Sequence, residues 1–237
     1  MRDNRKTNKY YEELILEIHE VHKDEISGKE KDCYFQSLTS IELLACSRIA
    51  YAKGDSDVEI KLRYDFFIKH LFQSEECHQH ITDKDSHPLT LTNDRFVSCA
   101  TVYGICLGYE KTNLKKMAKC IPAGTDQLID RLLAYYQPDR SISDVLMEKG
   151  KYKQLIAIMD SDDKIFQAKM LKTYLDQWPK KLGIRAPDGA RPLHETPTYD
   201  GYWCYEAAAV VIVADIDDES FKDHEFYPSE LMSWRNT

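Results

Sequence analysis

Residues 203–214 read Trp203-Cys204-Tyr205-Glu206-Ala207-Ala208-Ala209-Val210-Val211-Ile212-Val213-Ala214. This is the most apolar element of the chain, and its conformation sets the fold class. Taken alone, the β-branched run 210–213 suits a buried strand. The three alanines before it suit a helix, and a helix apolar on every side is a buried one. The rest of the chain favours the helix, because apolar residues recur at spacings of three and four almost throughout.

Tyr11, Leu14, Ile15, Ile18 and Val21 predict an amphipathic helix over 8–26. A second is expected over 33–53, striped by Tyr34, Leu38, Ile41, Ala45, Ile49 and Ala52 and stopped by Gly54. A third, over 56–76, takes Asp55 as its cap and has Val58, Leu62, Phe66 and His70 in line. After a polar loop over 77–92, Thr92-Asn93-Asp94 opens a fourth, with Phe96, Cys99, Ala100, Tyr103 and Leu107 on one face. Thr125 is the expected cap of a helix that turns Leu128, Ile129, Leu132, Leu133 and Tyr136 inward. The stretch Ser141–Asp144 resembles a capping box. It predicts helices over 144–159 and 162–178, paired as an αα-hairpin by the polar turn Asp160-Ser161-Asp162-Asp163.

Four of the eight prolines, Pro179, Pro187, Pro192 and Pro197, fall within 179–200. They mark a long ordered loop, pinned by Leu182, Ile184, Leu193 and Tyr199. Beyond the apolar element, Asp217-Asp218-Glu219 and Pro228-Ser229-Glu230 each suit the first turn of a short helix. The expected fold is therefore all-α: a multi-helix bundle of antiparallel helix pairs, with a long Pro-rich loop before the last core helix. Residues 1–120 and 121–237 form its N-terminal and C-terminal regions within one globule.

Composition agrees and narrows the function. The 237 residues are 43% hydrophobic, enough for a sizeable core. Nine glycines and eight prolines are too few for a turn-dense sandwich or barrel. The formal charge of −8 argues against binding nucleic acid or an anionic membrane surface. The first ten residues are polar and charged, unlike a secretory signal, and the longest apolar run is far below the roughly 20 residues of a membrane span. Seven scattered cysteines read as reduced core thiols of a cytoplasmic protein.

No catalytic pattern rises above this background. Cys77, His78 and His80, with His87 nearby, are the right residue types for zinc but match no standard spacing. His19 and His22 lack the glutamate of a helical zinc motif. Cys204 could be joined to His194 and Asp200 as a thiol triad, but its apolar neighbours predict an inert buried thiol. Glu206 suits a satisfied structural acid. A thiol- or metal-dependent hydrolase is thus an alternative with little support; no enzyme activity and no cofactor are expected.

Charge is distributed unevenly. Residues 199–237 hold nine acids and two bases, a charge of −7, which leaves −1 for the other 198 residues. Six of those acids, Asp215, Asp217, Asp218, Glu219, Asp223 and Glu225, fall within eleven residues. Aromatics flank them: Tyr199, Tyr202, Trp203 and Tyr205 before; Phe221, Phe226, Tyr227 and Trp234 among and after. Acids for steering and rings for affinity suit a basic protein partner. The same residues also suit helix capping and core packing.

The stretch Tyr199-Asp200-Gly201-Tyr202-Trp203-Cys204-Tyr205-Glu206-Ala207-Ala208-Ala209, then Asp215-Ile216-Asp217-Asp218-Glu219-Ser220-Phe221, then Phe226-Tyr227-Pro228-Ser229-Glu230-Leu231, resembles the C-terminal signature of PoNi-type immunity proteins. That signature runs roughly G-Y-W-x-[FY]-E-A-A, an apolar stretch, D-D-S-x-[FY], and Y-P-x-[DE]-[LM]. Glu219 departs from it by standing between Asp218 and Ser220. Arg2-Asp3 followed by Tyr10-Tyr11 resembles the opening of the same family, so the resemblance spans the chain. It implies an all-helical cytoplasmic inhibitor of a cognate DNase toxin of the PD-(D/E)xK type. A nuclease presents a basic face to phosphate, and an acidic partner fits that face. The expected toxin-binding residues are Asp215, Asp217, Asp218, Glu219, Asp223 and Glu225. Gly201, Tyr202, Trp203, Glu206, Phe221, Tyr227 and Pro228 are signature residues, either contacts or parts of the core. The alternative for this same surface is a helical adaptor for an unrelated basic partner.

Overall fold

The structure, a computed structural model, describes residues 2–27, 33–79, 94–108, 114–115, 118, 121, 123–124, 126–182, 193–196 and 199–234. Among them every regular element is helical, as the periodicity predicts. The chain divides into two compact units, one of residues 1–93 and 186–202, the other of 94–185 and 203–237.

The first unit contains α1 (Asn8–Val21), α2 (Lys23–Ile26), α3 (Cys33–Lys53) and α4 (Asp57–Gln79), with a 3₁₀ turn at Leu193–Glu195. The helix expected over 8–26 is two helices, broken at His22 (φ −104°, ψ 19°), whose Nδ1 lies 3.0 Å from Thr39 Oγ1. Tyr11, Leu14, Ile15 and Ile18 are buried as expected, but Val21, next to that break, is 66% exposed. Gly54 ends α3 with φ +100°, its N–H reaching the Ala50 and Tyr51 carbonyls. No side chain with a Cβ adopts that φ cheaply.

The cap of α4 is Ser56, not Asp55. Ser56 N–H and hydroxyl both donate to Glu59 Oε2, and Glu59 N–H returns a bond to Ser56 Oγ. This S-x-x-E box satisfies donors from both sides, while Asp55 is taken up by Lys53 at 2.9 Å. The inward face of α4 is Ile60, Tyr64, Phe67, Ile68 and Leu71; Val58 and Leu62, expected inside, are each 61% exposed.

The second unit contains α5 (Asp94–Cys106), α6 (Gln127–Ala134), α7 (Lys149–Met159), α8 (Lys164–Leu182), α9 (Tyr205–Ala214) and α10 (Ser229–Ser233). The deciding stretch is α9, a helix with Ala207, Ala208, Ala209 and Val210 fully buried. It packs against α5, α6, α7, α8 and α10. The alanines leave neighbouring backbones room to approach, and Tyr205 sets its ring edge-on to Tyr103 at 4.8 Å.

Three boundaries in this unit differ from expectation. Asp126, not Thr125, caps α6, accepting N–H bonds from Leu128 and Ile129. No helix starts at Ser141–Asp144; α7 begins at Lys149. Ser143 N–H instead donates to Asp130, and its hydroxyl accepts from Val145 N–H. Pro179 lies inside α8 rather than ending it. The neighbouring Trp178 is buried and packs on Phe226 at 5.5 Å, which holds the last turn despite the missing backbone donor.

Candidate functional site

The six clustered acids sit on a run of turns between α9 and α10, not on the helix expected from Asp217-Asp218-Glu219. Asp215 is the C-cap of α9 in the left-handed conformation (φ 50°, ψ 57°), its N–H returning to Val211 O. Asp and Asn are the residues besides glycine that adopt this state most readily. Asp217 Oδ1 accepts Glu219 N–H at 3.0 Å, a local Asx turn. Asp218 Oδ2 accepts the Tyr227 hydroxyl at 2.9 Å. Glu219 meets Lys222 at 2.8 Å, a bond that raises the pKa of this lysine. Asp215, Asp217, Glu219, Asp223 and Glu225 are all exposed, and Asp218 is half-buried.

The loop is fixed from beneath. Ile216, Phe221 and Tyr227 are buried, with the Phe221 and Tyr227 rings edge to face at 5.2 Å. It also runs beside α8. Lys164 Nζ donates to the Ala214 carbonyl at 2.5 Å, so a cation ends α9 where its carbonyls are unpaired. Further along, His224 lies 3.2 Å from Asp176, whose carboxyl is pulled below its usual pKa by Lys172 and then by His224. The acidic loop is thus tied to α8 at both ends, through Lys164 and through Asp176.

The signature residues occupy defined structural places. Gly201 has φ +103°, and Tyr202 is buried with its hydroxyl accepting His194 N–H at 2.9 Å. Trp203 is half-buried; Pro228 is buried as the N-cap of α10. Glu206 sits 12% exposed at 3.0 Å from Lys151 Nζ and accepts the Tyr152 hydroxyl at 3.0 Å. Burial alone would raise its pKa, but the Lys151 charge and these hydrogen bonds outweigh it and the net shift is downward. Glu206 is an ion-paired structural acid, and it holds α9 to α7.

The N-terminal motif meets the start of the signature within the first unit. Buried Asp3 accepts the Tyr199 hydroxyl and Arg5 N–H. Tyr199 N–H donates to the Tyr10 hydroxyl at 2.9 Å, and Arg48 pairs with Asp200 at 2.5 Å. The Arg5 guanidinium covers the Tyr202 ring at 4.9 Å. Tyr199 therefore pins its segment, as expected; the side chains of Leu182, Ile184 and Leu193 lie outside the described residues.

The rival chemistries fare differently. Cys204 is fully buried, and burial first, then Glu206, drives its thiol pKa well up, the reverse of an activated nucleophile. His194 is engaged by Tyr202 and Asp200 by Arg48. The side chains of Cys77, His78, His80 and His87 lie outside the described residues. Among the described residues no group of three or more His, Cys, Asp or Glu is placed to hold a metal ion, and no helix is long and apolar enough to cross a membrane.

One buried cluster was missed by sequence reasoning. Arg140 Nε meets Asp130 Oδ1 at 2.8 Å with both side chains inaccessible, and its two terminal nitrogens reach the Ala118 and Ile121 carbonyls. Asp130 also accepts Gly124 and Ser143 N–H, and Asp126 accepts Met147 N–H. The available signal was a pair of acids four apart on an otherwise apolar helix face.

Residues 124–231, which begin at this cluster and end in α10, match the family model of PoNe immunity proteins (PoNi), C-terminal. The matched stretch takes in α6 to α9, the acidic loop and the start of α10, and it supports a PoNi-type immunity protein. No curated protein matches the sequence. The fold is similar to the crystal structure of protein PA2201 from Pseudomonas aeruginosa, with a TM-score of 0.78 at 16% identity, covering 99% of this chain and 90% of that one. A likeness at that identity speaks to fold alone.

Proposed function

We propose that the chain protects the cytoplasm of the cell that makes it by binding a PoNe-type DNase toxin one to one. It acts as an inhibitor and not as an enzyme. The acidic loop from Asp215 to Glu225 lies on the basic DNA-binding face of a PD-(D/E)xK nuclease domain and bars the substrate. The observation that carries this reading is the loop itself: five exposed acids on backbone held by buried Ile216, Phe221 and Tyr227, inside the stretch that matches the PoNi family model. Charge presented on a fixed frame loses little conformational entropy on docking. It also speeds encounter with an oppositely charged face, up to about 10⁸–10⁹ M⁻¹s⁻¹ at low salt.

The test is charge reversal at Glu219, Asp223 and Glu225, which leaves Asp215 and Asp218 in their structural places. Titrated against a PoNe-type nuclease domain, the variant is expected to associate at least about 10-fold more slowly at low salt and to lose most of its salt dependence. An association rate and salt dependence unchanged from wild type would refute the docking face.

A further inference from the structure

The acidic loop supplies attraction but little apolar contact area, because its own rings are turned inward. The apolar surface beside it comes from the α7–α8 turn. Ile165 is 83% exposed and Phe166 42% exposed, in the first turn of α8. A single exposed apolar side chain is ordinary. Two large ones in succession, where a helix start would be served equally well by polar residues, are not required by the fold. The core of the hairpin is completed without them by Leu155, Ile158, Leu171 and Leu175.

The turn that carries them is rigid. Asp163 Oδ1 accepts N–H bonds from Ile165 and Phe166, both at 3.0 Å, and Ser161 Oγ accepts from Asp163 N–H. Buried Gln167 ties the turn from beneath, its amide donating to the Ile158 and Ser161 carbonyls. The pair is therefore presented in a fixed place, with little entropy left to lose. Its surroundings are acidic: Asp162 and Asp163 are exposed in the same turn, and Asp160, also exposed, is paired with Arg131. The intervening Lys164 is spent on the Ala214 carbonyl, and this bond joins the turn to Asp215 and the acidic loop.

We propose that Ile165 and Phe166 are the apolar anchor that seats the chain on its basic toxin partner. An apolar centre with a charged rim is the usual anatomy of a protein interface, and the negative rim selects a positively charged occupant over a second copy of this acidic chain. This inference rests on the function proposed above and adds a division of labour: acids govern association, and the anchor governs dissociation.

The experiment measures binding kinetics of the full chain on an immobilised, catalytically inactivated PoNe-type nuclease domain. Wild type is compared with Ile165→Ser, Phe166→Ser and, as a control on another exposed apolar residue, Leu62→Ser. Circular dichroism and thermal melting verify folding, and Ile165→Ser, at the most exposed position, tests the anchor without touching the core. Ile165→Ser and Phe166→Ser are expected to raise the dissociation rate about 30-fold or more, with association within about 3-fold of wild type. Leu62→Ser should change neither rate. Unchanged dissociation in Ile165→Ser overturns the anchor and leaves the acidic docking face standing. So does an equal effect of Leu62→Ser, or a wild-type dimer broken by Ile165→Ser with toxin affinity intact. Wild-type protein that does not bind the domain at all removes the proposed function and the anchor with it.

Discussion

Replacing Arg140 by methionine removes the guanidinium but keeps a chain of similar length in the space. Asp130, 0% exposed at its side chain, would then keep two backbone N–H donors and lose its counter-charge. The Ala118 and Ile121 carbonyls would lose the donors they now share. Breaking one side of a buried ion pair costs about 3–5 kcal/mol. An orphaned buried acceptor costs about 1–3 kcal/mol. These terms overlap, since protonation or relaxation relieves several at once, so we expect a loss of about 4 kcal/mol. For a chain of this size that is a fall in Tm of about 8–16 °C. Urea unfolding followed by tryptophan fluorescence measures it, with Asp130→Asn and the double variant closing a cycle. The double variant should cost at least about 2 kcal/mol less than the sum of the singles. A loss below about 1 kcal/mol for Arg140→Met, or additivity within about 0.5 kcal/mol, would refute the account of a mutually dependent buried cluster.

Glu206→Gln removes the ion pair with Lys151, and we expect it to cost about 2 kcal/mol at pH 7. Because the folded-state pKa of Glu206 lies below its ordinary 4.5, this contribution is complete above that value and is lost as pH falls through the lowered folded value. The stability gap between wild type and variant in urea should therefore shrink below pH 4.5, and a gap unchanged at pH 3 would contradict the pairing. Asp215→Gly relieves the left-handed backbone at the end of α9 and should leave stability equal or up to about 1 kcal/mol higher. A melting temperature lower by more than about 3 °C would show that the aspartate side chain, not the backbone, matters there.

Helix existence and type were readable because a core-facing stripe repeats with the turn of the helix, and the deciding stretch obeyed that rule on all sides at once. Boundaries were less readable where several polar residues compete to cap. Ser56 and Asp55 adjoin, as do Asp126 and Thr125, and the winner is whichever also finds a second partner: Glu59, three residues on, for Ser56, and the distant Met147 N–H for Asp126. Val58 and Leu62 followed a helical spacing that the neighbouring, more bulky face of Ile60, Tyr64 and Phe67 outweighed. The acidic segment carried helix-starting residues. Its chain is instead held by buried Ile216, Phe221 and Tyr227, which follow no helical spacing. The acids of the candidate site were legible because charge clusters in sequence; the Asp130–Arg140 cluster and the exposed Ile165–Phe166 pair were not, since each is defined by what surrounds it in space.

Each compact unit is assembled from two separate stretches, and the first closes only when residues 186–202 return to 1–93. Asp3 must wait for Tyr199, nearly two hundred residues later. At about 5–20 residues per second on the ribosome, that interval is roughly 10–40 s. Neither unit can therefore mature on a nascent chain that is still short. Any surface that needs both stretches of a unit therefore forms only after the later stretch has been made.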